Sequence, residues 1–245
     1  LEMIREQFRR YAVEKVIPNA HEWHLKDELI PLDVIQELAD MGVFGLTLPE
    51  EYGGFGLTKA SMVVVTEELS RGYIGVGSLG TRQEIASELI LCGGTEEQKQ
   101  KWLPKIAAAE ILPTAVFTEP NTGSDLGSLR TRAVKEGADW VINGRKIWVS
   151  GVPKADFLIV MAATDPAKGA RGGITAFLMD TDHPGFSIER QIPMIAGART
   201  YELVFDDVRI PEDQVLGEVG NGFAPMQKRL TIRRLEMGAM GVGMA

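Results

Sequence analysis

Ile111-Leu112-Pro113-Thr114-Ala115-Val116-Phe117-Thr118-Glu119-Pro120-Asn121-Thr122-Gly123-Ser124-Asp125 marks the point where the hydrophobic period changes from helical to extended. Before it, Ile4, Phe8, Ala12 and Val16 recur every fourth residue, a stripe expected to stop at Pro18. Leu32 to Met41 repeats the pattern and ends at Gly42, and Thr58 can cap a run from Lys59 to Arg71. A helix from about Gln83 to Cys92 stops at Gly93-Gly94, and Thr95-Glu96-Glu97-Gln98 has the spacing of a capping box that opens another, running toward Ala109. Leu48 to Leu57 holds too much glycine for either regular structure and is expected to be a structured loop.

After Ile111 the runs shorten. Thr114 to Phe117, Leu129 to Val134, Trp140 to Ile142, Lys146 to Val149, Phe157 to Ala162, Ile174 to Met179, Phe186 to Ile188 and Glu202 to Phe205 are apolar or alternating, each bounded by Gly, Pro, Asp or Asn. Asn143-Gly144 reads as the turn of a β-hairpin, because both turn residues need positive φ. Helical period returns after Pro225. The expected class is α+β: an N-terminal helical domain over 1–112, a middle antiparallel β domain over 113–219, and a helix over 220–245 that begins something else. The chain opens and closes inside helical patterns, so it reads as part of a longer polypeptide.

Composition excludes several classes of function. The 245 residues carry 26 Lys and Arg against 34 Asp and Glu, a net charge of −8 with no long basic run, which disfavours nucleic acid or an anionic membrane as partner. No apolar stretch approaches the roughly 20 residues of a membrane helix, and Leu1 to Glu6 is too charged for a secretory signal. One cysteine, Cys92, excludes an intrachain disulfide framework. His21 and His24 lack the spacing of a zinc protease helix and read as surface histidines, and His183 sits in a turn, so no metal site is expected. Gly217-Glu218-Val219-Gly220-Asn221-Gly222 reverses the dinucleotide glycine spacing and reads as a turn, while Met226, Met237, Met240 and Met244 read as core.

The loop after Phe117 is different. Thr118, Thr122 and Ser124 offer hydroxyls, and Gly123 frees backbone N–H groups, a donor set suited to a phosphate or a ring carbonyl. Some twenty-five residues on, Trp148 and Ser150 are expected on one side of a strand, where an indole beside a hydroxyl can wall an aromatic cofactor. A β-turn and a core tryptophan explain the same residues without a ligand.

Five ordered motifs resemble the acyl-CoA dehydrogenases: Leu48-Pro49-Glu50-Glu51-Tyr52-Gly53-Gly54, Gly94-Thr95-Glu96-Glu97-Gln98-Lys99, Thr118-Glu119-Pro120 with Gly123-Ser124-Asp125, Asn143-Gly144-Arg145-Lys146-Ile147-Trp148, and Phe205-Asp206-Asp207-Val208. The resemblance covers essentially the whole chain and implies FAD as cofactor, an acyl-CoA substrate, an electron-transfer flavoprotein as partner and a homotetramer or homodimer. A bacterial cytoplasm or a mitochondrial matrix is the compartment it suggests. It further implies that Phe117 and Thr118 face the isoalloxazine, that Gly123 and Ser124 serve the pyrophosphate or CoA, and that Trp148, Val149 and Ser150 flank the flavin. Arg234 matches an arginine on the helix that meets acyl-CoA, a role that competes with a helix-surface salt bridge. Ala196 and Ala198 stand where many members carry Arg and Ser. Arg233 occupies a position where some members place the catalytic base; the base is therefore expected beyond Ala245, with Glu236 a helix-surface carboxylate and the final helix left without partners. An oxidase or monooxygenase on the same fold, and a non-catalytic scaffold, are the competing functions.

Overall fold

The computed structural model describes residues 1–194 and 199–245; the expectations at Ala196 and Ala198 lie outside the described residues. The helical part comprises α1 (Glu2–Tyr11), α2 (Ile17–Leu25), α3 (Leu32–Asp40), α4 (Lys59–Gly72), α5 (Ile74–Gly93) and α6 (Glu96–Ala107). It closes around Phe8, Val16, Leu38, Val43, Met62 and Leu69.

Pro18 does not stop the first helix. A π segment, Ala12–Val16, joins α1 to α2, and this wider turn sits immediately before Pro18, where the regular hydrogen-bond ladder cannot continue. The helix expected from Gln83 begins nine residues earlier, at Ile74. Glycine stands in this helix where neighbours leave no room for a side chain: a Cβ at Gly80 would lie 2.7 Å from Val43, and one at Gly77 would collide with Ser70. The capping box at Thr95 forms as expected, with Gln98 N–H donating to Thr95 Oγ1 and Thr95 N–H to Gln98 Oε1.

The sheet contains β1 (Pro113–Val116), β2 (Arg132–Glu136), β3 (Asp139–Ser150), β4 (Phe157–Ala163), β5 (Ile174–Asp180), β6 (Phe186–Ile192) and β7 (Thr200–Pro211). Along its main path the order is β1-β4-β2-β3-β7-β6, with β5 on β4. It is mixed rather than wholly antiparallel, since β1 runs parallel to β4, as a long crossover through β2 and β3 permits. Every residue of β4 is buried because helices cover one face: Phe157, Ile159 and Met161 pack with Leu89, Ile90, Leu103 and Ile106, while Leu158 and Val160 join Phe177 and Leu203 in a second core.

Asn143-Gly144 is not a hairpin turn. It lies inside β3, at a register shift against β7, and the β2–β3 turn falls at Gly137, with φ 63°. Asn143 Nδ2 donates to Asp207 Oδ1 (3.0 Å) and Asp207 N–H donates to Asn143 Oδ1 (2.9 Å), so the pair closes the bulge that the dipeptide makes. A Cβ at Gly144 would collide with Thr131.

The last element, α7 (Phe223–Met244), does have partners in this chain: it packs on α4 and α5. Ala239 is buried, and a Cβ at Gly243 would strike the Glu67 carbonyl; Gly238 and Gly241 face open space and Leu235, Met237 and Val242 are exposed. No described helix is long and apolar enough to cross a membrane.

Candidate functional site

The loop leaving β1 is fastened from beneath. The buried Glu119 carboxylate accepts from Arg130 N–H (2.6 Å), Thr131 N–H (2.9 Å) and Lys146 Nζ (2.9 Å). Lys146 also donates to the Phe117 carbonyl (3.0 Å), and Ile147 N–H donates to that of Thr118 (2.9 Å). Burial pushes the Lys146 ammonium down to about 8, with Glu119 opposing. Burial also pushes the Glu119 carboxyl up, but Lys146 and the two backbone donors outweigh it and hold it below the usual range. Lys146 and Glu119 lie within the quoted motifs, yet no sequence feature showed that they meet.

Above this pair, β1, its loop and β3 wall one side of a cavity of about 250 Å³; α5 and α7 wall the other. Phe117, Thr118, Trp148, Val149 and Ser150 all border it. Strict alternation is not what presents them, because Ile147 to Ser150 border it consecutively. Trp148 has φ +60° beside a register shift, a conformation costly for a bulky residue, and its indole is 53% exposed. The Thr118 and Ser150 hydroxyls have no hydrogen-bond partner among the described residues. A flat ring with polar edges fits this wall.

Other expected residues lie elsewhere. Thr122 Oγ1 is used within the loop, donating to the Asp125 carbonyl (2.5 Å) and paired with Ser128 Oγ (3.1 Å), so it is not a free donor. Gly123 and Ser124 are exposed on the loop outside the cavity lining, and a Cβ at Gly123 would find only Thr118 Cγ2, at 3.9 Å. Arg234 is exposed and does not border the cavity; its neighbour Arg233 does.

Arg233 Nη1 donates to Thr81 Oγ1 (2.5 Å) and reaches Glu236 Oε2 at 3.5 Å. Glu236 is therefore no surface carboxylate. It is fully buried, accepting from Arg229 Nη2 at 2.9 and 2.7 Å, and the same nitrogen reaches Glu84 Oε2 at 3.2 Å. Lys59 Nζ completes the cluster, 2.8 Å from Glu84 and bonded to Glu88. Rotation along α7 puts Glu236 toward α5, where with Glu84 it meets Arg229 and Arg233 of its own helix. Burial pushes the Glu236 carboxyl up to about 7, the Glu84 carboxylate adding and Arg229 opposing.

Arg82 was missed altogether, because a helix begun at Gln83 leaves it in a loop. On α5 it is partly buried and borders the cavity beside Arg233, and among the described residues its guanidinium has neither ion pair nor hydrogen bond. Burial pushes it down to about 10, with Arg233 adding. Among the described residues, no carboxylate borders the cavity.

Residues 1–110 match the acyl-CoA dehydrogenase N-terminal domain and residues 114–208 the acyl-CoA dehydrogenase middle domain. A (2S)-methylsuccinyl-CoA dehydrogenase of Cereibacter sphaeroides is 54% identical over all of this chain and 47% of its own length. A structure described as the electron transferring flavoprotein of Acidaminococcus fermentans has a chain that superposes with TM-score 0.92 at 32% identity, over 99% of this chain and 64% of that one. A glutaryl-CoA dehydrogenase from Mycobacterium smegmatis in complex with FADH2 superposes with TM-score 0.89 at 32% identity, over 99% and 61%. The chain thus spans about half to two thirds of these relatives. With both family domains matched in order, and the cavity lying between the sheet and the helices, the chain belongs to the acyl-CoA dehydrogenase family.

Proposed function

We propose that this chain forms the flavin and acyl-CoA site of an FAD-dependent dehydrogenase that converts an acyl-CoA thioester to the α,β-unsaturated enoyl-CoA. The wall of Thr118, Trp148 and Ser150, facing helices across a cavity, carries the reading. Trp148 and Val149 would hold one face of the ring, and the Thr118 and Ser150 hydroxyls its polar edge; Gly123 and Ser124 would serve the pyrophosphate or CoA phosphates from the exposed loop. Bound FAD supplies the two-electron acceptor. This chain's residues orient the ring, and α5 and α7 exclude water from the thioester. Residues 1–112 act as the helical domain, 113–219 as the β domain, and 220–245 as the first helix of a further bundle.

No carboxylate borders the cavity among the described residues, which supports a base for the α proton from outside residues 1–245. Arg233 cannot serve, and Glu236 is committed to Arg229. An electron-transfer flavoprotein as acceptor, supported by the likeness to the Acidaminococcus fermentans structure, and a homotetrameric or homodimeric assembly complete the reading. The similarity to a methylsuccinyl-CoA dehydrogenase supports a short, branched acyl group bearing a second carboxylate. Anaerobic mixing of the complete FAD-loaded protein with a panel of acyl-CoAs tests this: bleaching of the flavin band and formation of enoyl-CoA are expected. Peroxide formed in air at the rate of turnover would instead make it an oxidase.

A further inference from the structure

Arg82 stands at the junction of two cavities. It borders the larger one beside Arg233, and with Pro113 and Thr114 it also borders a narrower recess of about 70 Å³ lined by apolar side chains such as Leu29, Phe44 and Leu79 and by the cations Lys154 and Arg199. A permanently charged, multidentate donor in such surroundings is costly unless an anion meets it. Most cations near it have a partner: Arg229 has Glu84 and Glu236, Lys59 has Glu84 and Glu88, Arg233 has Glu236, Arg199 has Asp27, and Lys154, on the same recess and without an ion pair among the described residues, donates to the Ile30 carbonyl. Arg82 has none among the described residues, and Arg233 depresses it further. An anion that pairs with it therefore comes from outside residues 1–245, and the cavity it borders is the way in.

Resting on the acyl-CoA reading above, we propose that Arg82 is the specificity-determining residue of the acyl site, and that it takes a second carboxylate at the far end of the acyl group. The strand wall supplies the surface for a flat ring, whereas Arg82, on the helical wall, borders both the cavity and the recess. A chain ending in carboxylate satisfies both the apolar lining and the guanidinium. Arg233, held by Thr81 and Glu236, adds positive potential without being the primary contact. A simple acyl chain would leave the Arg82 donors unpaired, and sites built around a polar partner discriminate strongly against analogues that lack it.

The test compares 2-methylsuccinyl-CoA with 2-methylbutyryl-CoA, in which a methyl replaces the carboxylate, on the complete FAD-loaded protein. The wild type is expected to favour the carboxylated thioester. Arg82→Met is expected to lower the ratio of the two kcat/KM values by about 100-fold, and Arg82→Lys to give an intermediate ratio. Calorimetric binding of the two enoyl-CoA products, which are not oxidised further, should show the same loss of discrimination. A ratio that moves less than about threefold in both variants overturns the proposal, as does flavin loss with an unchanged binding ratio, which would assign Arg82 to the cofactor. If no acyl-CoA bleaches the wild-type flavin, the functional reading itself falls. If acyl-CoAs bleach it and both Arg82 variants keep the wild-type preference, only the role of Arg82 falls.

Discussion

The Lys146 ammonium, fully buried in β3, lies 2.9 Å from the equally buried Glu119 carboxylate that begins the loop after β1. Neither charge has solvent to fall back on, so each requires the other. Because Lys146 also holds the Phe117 carbonyl, the pair sets where Phe117 and Thr118 stand against the cavity.

Removing one partner strands the other. Lys146→Met and Glu119→Gln should each destabilise the protein, Lys146→Met by about 3–5 kcal/mol because it leaves a buried carboxylate unpaired. The double variant should lose markedly less than the sum. Urea titrations of all four proteins measure the coupling.

The same pair predicts an acid limb. Glu119 is held below its ordinary value in the folded protein, so the unfolded chain binds its proton at higher pH. The stabilisation it contributes is fully present above the unfolded carboxyl value, about 4.5, and is lost as pH falls through the lowered folded value. Thermal unfolding of the wild type should decline steeply in this window, and Glu119→Gln should flatten that slope.

Trp148 pays in backbone conformation for its place at the cavity. Its φ of +60° suits glycine, and the indole is 53% exposed, so Trp148→Gly removes strain and little burial. The variant should be within about 1 kcal/mol of wild type, or more stable, in the flavin-free protein. It should nevertheless hold FAD at least about tenfold more weakly. Flavin fluorescence on release, beside denaturant curves, separates the two effects; unchanged retention would remove Trp148 from the flavin wall.

Glu236 is expected to matter for folding rather than proton abstraction. Glu236→Ala leaves Arg229 and Arg233 short of a buried acceptor and should cost about 3 kcal/mol or more. Glu236→Gln keeps an acceptor and should cost less, because burial already pushes this carboxyl up toward neutrality. Rapid-mixing flavin reduction in the Gln variant should persist; its abolition with normal stability and substrate binding would make Glu236 the base.

Much was legible in local sequence because local physics decided it. The change of period at Ile111 separates helices from sheet, the Thr95 capping box opens α6, and the apolar run Phe157 to Ala162 marks the strand β4, which the structure extends to Ala163. Thr118, Trp148 and Ser150 were likewise readable together, since a loop and a nearby strand carry them, whereas Phe117 and Val149 came from the family resemblance; all five border the cavity. What distant segments settle was not readable. Asn143-Gly144 has the composition of a turn, yet Asp207, 64 residues away, bonds it into a bulge. Glu236 has the look of a surface carboxylate, and only the packing of α7 on α5 reveals Arg229 and Glu84 around it. Arg82, one residue before the helix expected from Gln83, looks like any loop arginine until tertiary structure half-buries it without a counter-charge among the described residues. Periodicity and turn chemistry act within a few residues and so are written along the chain, whereas burial turns a charge from inexpensive to demanding, and burial exists only once the chain has folded.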